Sequence, residues 1–369
     1  MSVPPPGYPL GPPPAYGPPP GYGPPPGYGP PPGYGPPPGY GPPRHVPGVV
    51  KPGIIPLRPL TLGDIFNGAV GYVRANPKAT LGLTAIVVVI MQIITKTAFF
   101  GPLVGYNKFT TDRPGELNSG VVGAWLASVG AGTLVTWLGG MLLSGMLTVV
   151  VGRAVFGSPI TIGETWTKIR GRLLPLFGLA LLEAAVLAVI AGLVAVVVAV
   201  LVAVGNVALA VVLGIPLALV VFALLVYLYT VLLFAPVLIV LERLSVIDAI
   251  TRSFRLVRNG FWRVLGIRVL TSLVVAVIAG AVSVPFSIVS QFFLITSSTP
   301  AFLISTAVAS VGAAIGEIIT APFNAGVIVL LYTDRRMRAE AFDLVLQTGA
   351  AGGPYATAST DNLWLTRPV

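Results

Sequence analysis

Residues 244–267, LSVIDAITRSFRLVRNGFWRVLGI, decide how the rest of the chain is read. On a helix, Ile247, Ile250, Phe254, Val257 and Phe261 recur at three- and four-residue steps and share one face. Asp248, Arg252, Arg255, Arg258 and Arg263 fall on the other side. Ser245 followed by Asp248 has the spacing of a capping box, in which a hydroxyl and a carboxylate satisfy amides left open at a helix start. Asn259-Gly260 marks a break. About thirty nearly uncharged residues follow, enough to cross a bilayer. The pattern predicts a helix lying in a membrane surface. Its apolar side meets acyl chains, and Arg252, Arg255, Arg258 and Arg263 meet lipid headgroups.

Composition points the same way. The chain has 369 residues, 54% hydrophobic and 9% charged, where soluble domains carry about 25% charged residues. Mean hydropathy is +0.88. This is the composition of an integral membrane protein. A net charge of +10 would also suit nucleic acid. The basic residues sit beside apolar runs, however, as topology signals and anionic-lipid contacts do, so nucleic acid is not an expected partner. The absence of cysteine excludes disulfides, thiolate metal sites and cysteine nucleophiles. Arginine-rich, Ala/Val/Gly-rich usage fits a GC-rich bacterial genome.

Residues 1–56 read as a tail. GYGPPP repeats at a period of six and places Tyr16, Tyr22, Tyr28, Tyr34 and Tyr40 in register. Polyproline II has three residues per turn, so these rings would line one edge. Such a segment buries no core and is expected to be disordered. It reads either as a multivalent sticker for protein partners or as a solvated spacer. No secretory leader is expected, since the first apolar run begins near Ala79.

The capping spacing recurs at Thr61/Asp64 and Thr161/Glu164. Leu62, Phe66, Ala69 and Val73 form the apolar stripe of the first copy. Apolar runs predict six spans, near residues 79–101, 121–151, 173–204, 207–241, 266–296 and 301–333, with a turn at Gly205-Asn206. With the amino end inside, every Lys and Arg except Lys96, Lys108 and Arg113 lies in inside segments or beside their ends. Both termini are therefore expected in the cytoplasm of a bacterial cell, residues 344–369 forming a second cytoplasmic tail. Aligning Asp64, Glu164 and Asp248 superimposes Leu60/Ile160/Leu244 and Leu62/Ile162/Val246. The first and third copies also match at Val73/Val257, Arg74/Arg258 and Gly82/Gly266. The predicted fold is all-α: six transmembrane helices as three parallel repeats of amphipathic helix, span, span.

Two stretches, RPLTLGDIFNGAVGYVRANPKATLGL (58–83) and APVLIVLERLSVIDAITRSFRLVRNGFWRVLGI (235–267), resemble the membrane domain associated with bacterial glycerophosphoryl diester phosphodiesterases. With its tail, the chain also resembles the proline- and glycine-rich transmembrane proteins of high-GC Gram-positive bacteria. The resemblance covers roughly residues 57–343 and is strongest at Pro236, Glu242, Ala249, Arg252, Ser253, Phe261, Trp262 and Arg263. It implies a membrane location and assigns no catalytic role to these residues.

Catalytic signals are absent. The single histidine, His45, lies in the tail. The acidic residues form no metal-ligand cluster, and there is no phosphate-cradling glycine loop and no G-x-S-x-G elbow. No enzyme, cofactor or metal is predicted. Two carboxylates, Glu183 and Glu317, fall within spans, where a charge costs about 2.5–3.5 kcal/mol, so they are functional candidates. Glu317 follows Gly312-x-x-x-Gly316, a spacing that admits a close helix neighbour. Either the pair handles protons or cations, or the two are neutral acids hydrogen-bonded between helices, or Glu183 is paired with Arg268. Asn324 and Gln291 are further partners. Two functions follow. One is a non-enzymatic envelope anchor or scaffold whose tail recruits partners. The other is a small transporter or channel using Glu183 and Glu317.

Overall fold

The computed structural model describes residues 53–56, 58–110, 119–203, 207–295, 298–351 and 360–365. Contacts separate residues 1–48 from 49–369. The tail's tyrosines and the Gly205-Asn206 turn lie outside the described residues, whereas residues 53–56, expected as the disordered end of that tail, are ordered: Ile55 is buried in the core beside Gly68, and the Ile54 amide donates to the Ala154 carbonyl at 3.3 Å. Every regular element among the described residues is helical. The first group is α1 (Leu62–Ala75), α2 (Pro77–Thr110) and α3 (Ser119–Ala154). The second is α4 (Ile162–Ile169), α5 (Leu173–Ala203), α6 (Val207–Leu232) and the short α7 (Ala235–Leu241). The third is α8 (Val246–Arg258), α9 (Phe261–Leu294) and α10 (Thr299–Glu340), followed by α11 (Phe342–Ala351) and a 3-10 turn, Thr360–Trp364. Each group is an amphipathic helix followed by two spans. The six spans, on α2, α3, α5, α6, α9 and α10, are long and apolar enough to cross a membrane. The chain is a multi-pass membrane protein.

The three amphipathic helices begin as their sequences require. Thr61 and Thr161 each accept a hydrogen bond from the amide three residues on, and Asp64 and Glu164 return one to the cap amide. Ser245 accepts from the Asp248 amide and its hydroxyl donates to the Asp248 carboxylate, without the bond from the cap amide that the other two helices have. The buried faces are rotated from the predicted stripes. On α1 the protein-facing residues are Ile65, Gly68, Ala69 and Tyr72, while Leu62 is exposed. On α8 they are Ala249, Ser253, Leu256 and Val257, while Ile247 and Phe254 face outward with Trp262. Of the predicted α8 stripe, Val257 is buried and Ile250 and Phe261 pack against the core, while its Ile247 and Phe254 side points away from the protein. Small residues face inward because backbones must approach closely there.

Between spans, apolar side chains gain little by leaving lipid for one another, so close packing and polar contacts carry association. Glycine marks the tight crossings. A Cβ on Gly326 of α10 would lie 2.5 Å from the Tyr72 ring and 3.1 Å from Ala69 Cα of α1. One on Gly316 would lie 3.3 Å from the Ala279 carbonyl of α9, and Gly312 packs under Phe286. The Gly312-x-x-x-Gly316 spacing therefore does seat α9 on α10. Tyr72 donates its hydroxyl to the Pro322 carbonyl, and burial pushes its phenol well above the ordinary tyrosine range.

Half of the most apolar window of α3 is buried, but none of that in α5, α6 or α9, so α3 is interior and those three are peripheral. The fourth span does not run unbroken to residue 241. It breaks at Leu233-Phe234, and Pro236 sits in the first turn of α7. α10 is the longest helix. Its 42 residues rise about 63 Å, twice the roughly 30 Å hydrocarbon thickness of a bilayer. The excess carries the Asp334–Glu340 run, and the buried core is densest beside it, around Phe234, Leu238, Leu330, Tyr332 and Trp364.

Candidate functional site

The charged end of α10 is the hub of the molecule. Asp334 is fully buried. Its Oδ1 accepts from the Leu60 amide (2.9 Å) and from Arg338 Nε (2.8 Å), one turn on. Its Oδ2 accepts from Arg263 Nε at 3.3 Å. Arg263 and Arg338 then donate to the Leu60 carbonyl at 2.9 and 3.1 Å. The peptide leading into α1 is thus clasped by α9 and α10 on both its polar groups.

Glu242, at the end of α7, is the second buried carboxylate. Its Oε1 accepts from the Tyr332 hydroxyl at 2.5 Å and lies 3.6 Å from Arg336. Its Oε2 lies 2.6 Å from Arg252 Nε, a close ion pair whose angle falls outside hydrogen-bond geometry. Arg252 and Arg336 both reach Glu340, at 2.9 and 3.1 Å. Arg335 donates to the Leu256 carbonyl at 3.0 Å and lies over Gly260, closing the α8–α9 corner. Arg336 also donates to the Trp364 carbonyl (3.0 Å) and stacks on Phe342 at 3.9 Å. Within residues 344–369, expected as a tail, Trp364 is therefore docked, buried against Phe156, Tyr332 and Phe342.

The four arginines assigned to headgroups divide in two. Arg252 and Arg263 make the internal contacts above, whereas Arg255 and Arg258 are exposed on α8. The sequence reading missed Glu242, Tyr332, Asp334, Arg336 and Trp364 as partners. A signal existed: the chain holds 12 acidic residues, and two of them stand at span ends among arginines.

The intramembrane candidates are only partly brought together. Arg268 on α9 is buried, donates to Asn324 Oδ1 (2.6 Å) on α10 and to the Tyr229 hydroxyl on α6, and pairs with no carboxylate among the described residues. Glu183 is hydrogen-bonded to Trp137 instead. It lines a cavity of about 590 Å³ with Trp137, Ser144, Tyr229 and Pro236. Glu317 lines a separate cavity of about 140 Å³ with Gln92, Thr95 and Thr136. Gly140 of α3 borders both, so the two carboxylates stand on opposite sides of α3. Gln291 is exposed on α9, away from both cavities.

A family model described as "Domain of unknown function (DUF7847)" matches residues 60–335. The chain belongs to this family. The bounds of the DUF7847 domain have a physical counterpart. Its first residue, Leu60, is hydrogen-bonded to Asp334, beside its last, so the domain closes on itself through the buried clasp. No curated protein and no solved structure matches the chain.

Proposed function

We propose that this chain is a non-enzymatic anchor of the bacterial cell envelope, a six-span platform in the cytoplasmic membrane whose amino-terminal tail recruits partner proteins. Both termini face the cytoplasm, and the three helix groups are copies of one module related to the membrane domain that accompanies glycerophosphoryl diester phosphodiesterases. The observation that carries the reading is the pairing at the hub. Glu242, Asp334 and Glu340 are each engaged by arginines of the same chain, so the charges nearest the membrane surface hold architecture together. A rigid platform of this kind supports a multivalent tail.

Crosslinking and mass spectrometry of the tagged full chain in its own membrane, with and without serine at Tyr16, Tyr22, Tyr28, Tyr34 and Tyr40, tests it. Loss of specific neighbours in the serine variant is expected; an unchanged neighbour set would reduce the tail to a spacer. Orientation is tested separately. The chain has no cysteine, so single cysteines at Arg255 and Arg258 report cleanly, and labelling from outside intact cells would reverse the assignment.

The cavity beside Glu183 favours a second reading, a small transporter. An ionisable group in a span that faces a cavity marks a solute or ion path by default. Here the cavity measures about 590 Å³ and includes Tyr229, which Arg268 holds in place. A Glu183→Gln/Glu317→Gln chain should then fail to restore whatever uptake or efflux the intact gene restores in a deletion strain. Full rescue by the double variant removes this reading.

A further inference from the structure

We infer that a cleft between α3, α4 and α7 is a binding site for one anionic phosphate group, the chemistry shared by a phospholipid headgroup and a soluble phosphate. The cleft measures about 310 Å³ and is lined by Arg153, Lys168, Arg170, Arg172 and Arg243, with Trp364 as an apolar wall. None of its lining residues is acidic. Arg153 and Lys168 have partners of their own, Glu164 acting on Lys168 from one turn away, so the charge open to a ligand is that of Arg170, Arg172 and Arg243.

Glu242 is adjacent to Arg243 in sequence, yet it turns the other way, toward Arg252 and Tyr332. Arg243 itself is held at φ 58°, the left-handed region that residues other than glycine uncommonly occupy. Backbone strain of this kind persists where surrounding structure enforces it, often at ligand sites. Its carbonyl accepts from Arg172 at 3.5 Å, and both residues line the cleft. No carboxylate lies within ion-pair distance of Arg170, Arg172 or Arg243 among the described residues. Like charges gathered in one concave site repel each other and focus a positive potential. A phosphate relieves that repulsion, and planar guanidinium groups match its oxygens in pairs. The location, where the α4 turn Arg170–Arg172 enters the span α5, is the depth at which headgroups lie. The inference is independent of the anchor reading, because it uses neither the tail nor its partners.

The full chain purified in maltoside detergent is incubated with equal amounts of phosphatidylglycerol and phosphatidylcholine, and retained lipid is counted by native mass spectrometry. One phosphatidylglycerol is expected to be held with roughly tenfold preference. The preference should fall in Arg170→Gln and vanish in Arg170→Gln/Arg172→Gln/Arg243→Gln. Lys96→Gln, on α2 and outside the cleft, should keep it. A second arm uses inorganic phosphate in place of lipid and reads the shift in melting temperature. A shift in the parent chain, lost in Arg170→Gln, without lipid preference assigns the site to a soluble phosphate. Arg170 is exposed and its side chain makes no hydrogen bond or ion pair among the described residues, so its variant folds whatever becomes of the triple one. Equal behaviour of parent and Arg170→Gln chains in both arms overturns the inference.

Discussion

Without its carboxylate, position 334 would leave Arg263 and Arg338 converging on the Leu60 carbonyl with no negative charge between them. Neither arginine has another carboxylate in reach. Removing one member of a buried ion pair costs about 3–5 kcal/mol, most of it the penalty for the stranded partner. Here Arg263 and Arg338 remain more than a third exposed, which lets water recover part of that penalty. Asp334→Ala is therefore expected to destabilise the chain by about 2–3 kcal/mol, below the range for breaking a fully buried pair. Asp334→Asn should cost less, because the amide oxygen still accepts from the Leu60 amide. Arg255→Gln, on an exposed arginine, should stay within about 0.5 kcal/mol of the parent. Reversible unfolding in mixed maltoside and dodecyl sulfate micelles reads all three. Equal midpoints for Asp334→Ala and Arg255→Gln would mean that the clasp contributes nothing to stability.

The break between α6 and α7 shows how an element boundary depends on a residue far along the chain. Ending α6 at Leu232 leaves backbone groups without helical partners, which inside a membrane protein is costly. Ser253 of α8 supplies both needs: its hydroxyl donates to the Val231 carbonyl at 2.5 Å and accepts from the Phe234 amide at 3.3 Å. Ser253→Ala should cost about 1–3 kcal/mol for each backbone group left unsatisfied, and should raise amide hydrogen exchange at residues 231–236 while leaving α2 unchanged. Unaltered exchange there would show that the break is stable without Ser253. This contact also marks what the sequence could convey. Helix starts were legible at Thr61, Thr161 and Ser245, because a cap is a contact across three residues. Span positions were legible because apolar length is a local sum. The face of α8 was not, since Ile247 and Ala249 both lie on apolar arcs and periodicity does not say which meets protein and which meets lipid. The partners of Glu242 and Asp334 were hidden for a similar reason: Leu60 and Asp334 are 274 residues apart, Glu242 and Tyr332 are 90 apart, and no local pattern joins them.

At the scale of the whole molecule, the last described residues fasten the third helix group to the first. Trp364 packs on Phe156 just beyond α3, on Tyr332 of α10 and on Phe342 of α11, and its indole lies over Gly152. Its carbonyl accepts from Arg336, the same guanidinium that faces Glu242. The carboxyl-terminal segment thus completes a circuit that runs from α7 through α10 and back to α3. Replacing a buried tryptophan by alanine costs about 3–5 kcal/mol where the site does not collapse. Collapse is blocked here by the helix ends on either side, so Trp364→Ala should fall in that range. Trp364→Phe, which keeps the stacking but loses volume, should cost less than half as much. The location of the effect is the sharper test. If Trp364 couples the groups, the alanine variant should expose both the end of α3 and the Asp334–Glu340 run of α10 to protease together, with cleavage after Arg336 and Arg338 appearing alongside cleavage after Arg153. Cleavage confined to residues beyond 351 would show that the segment merely rests on the bundle, and that α10 and α3 hold their places without it.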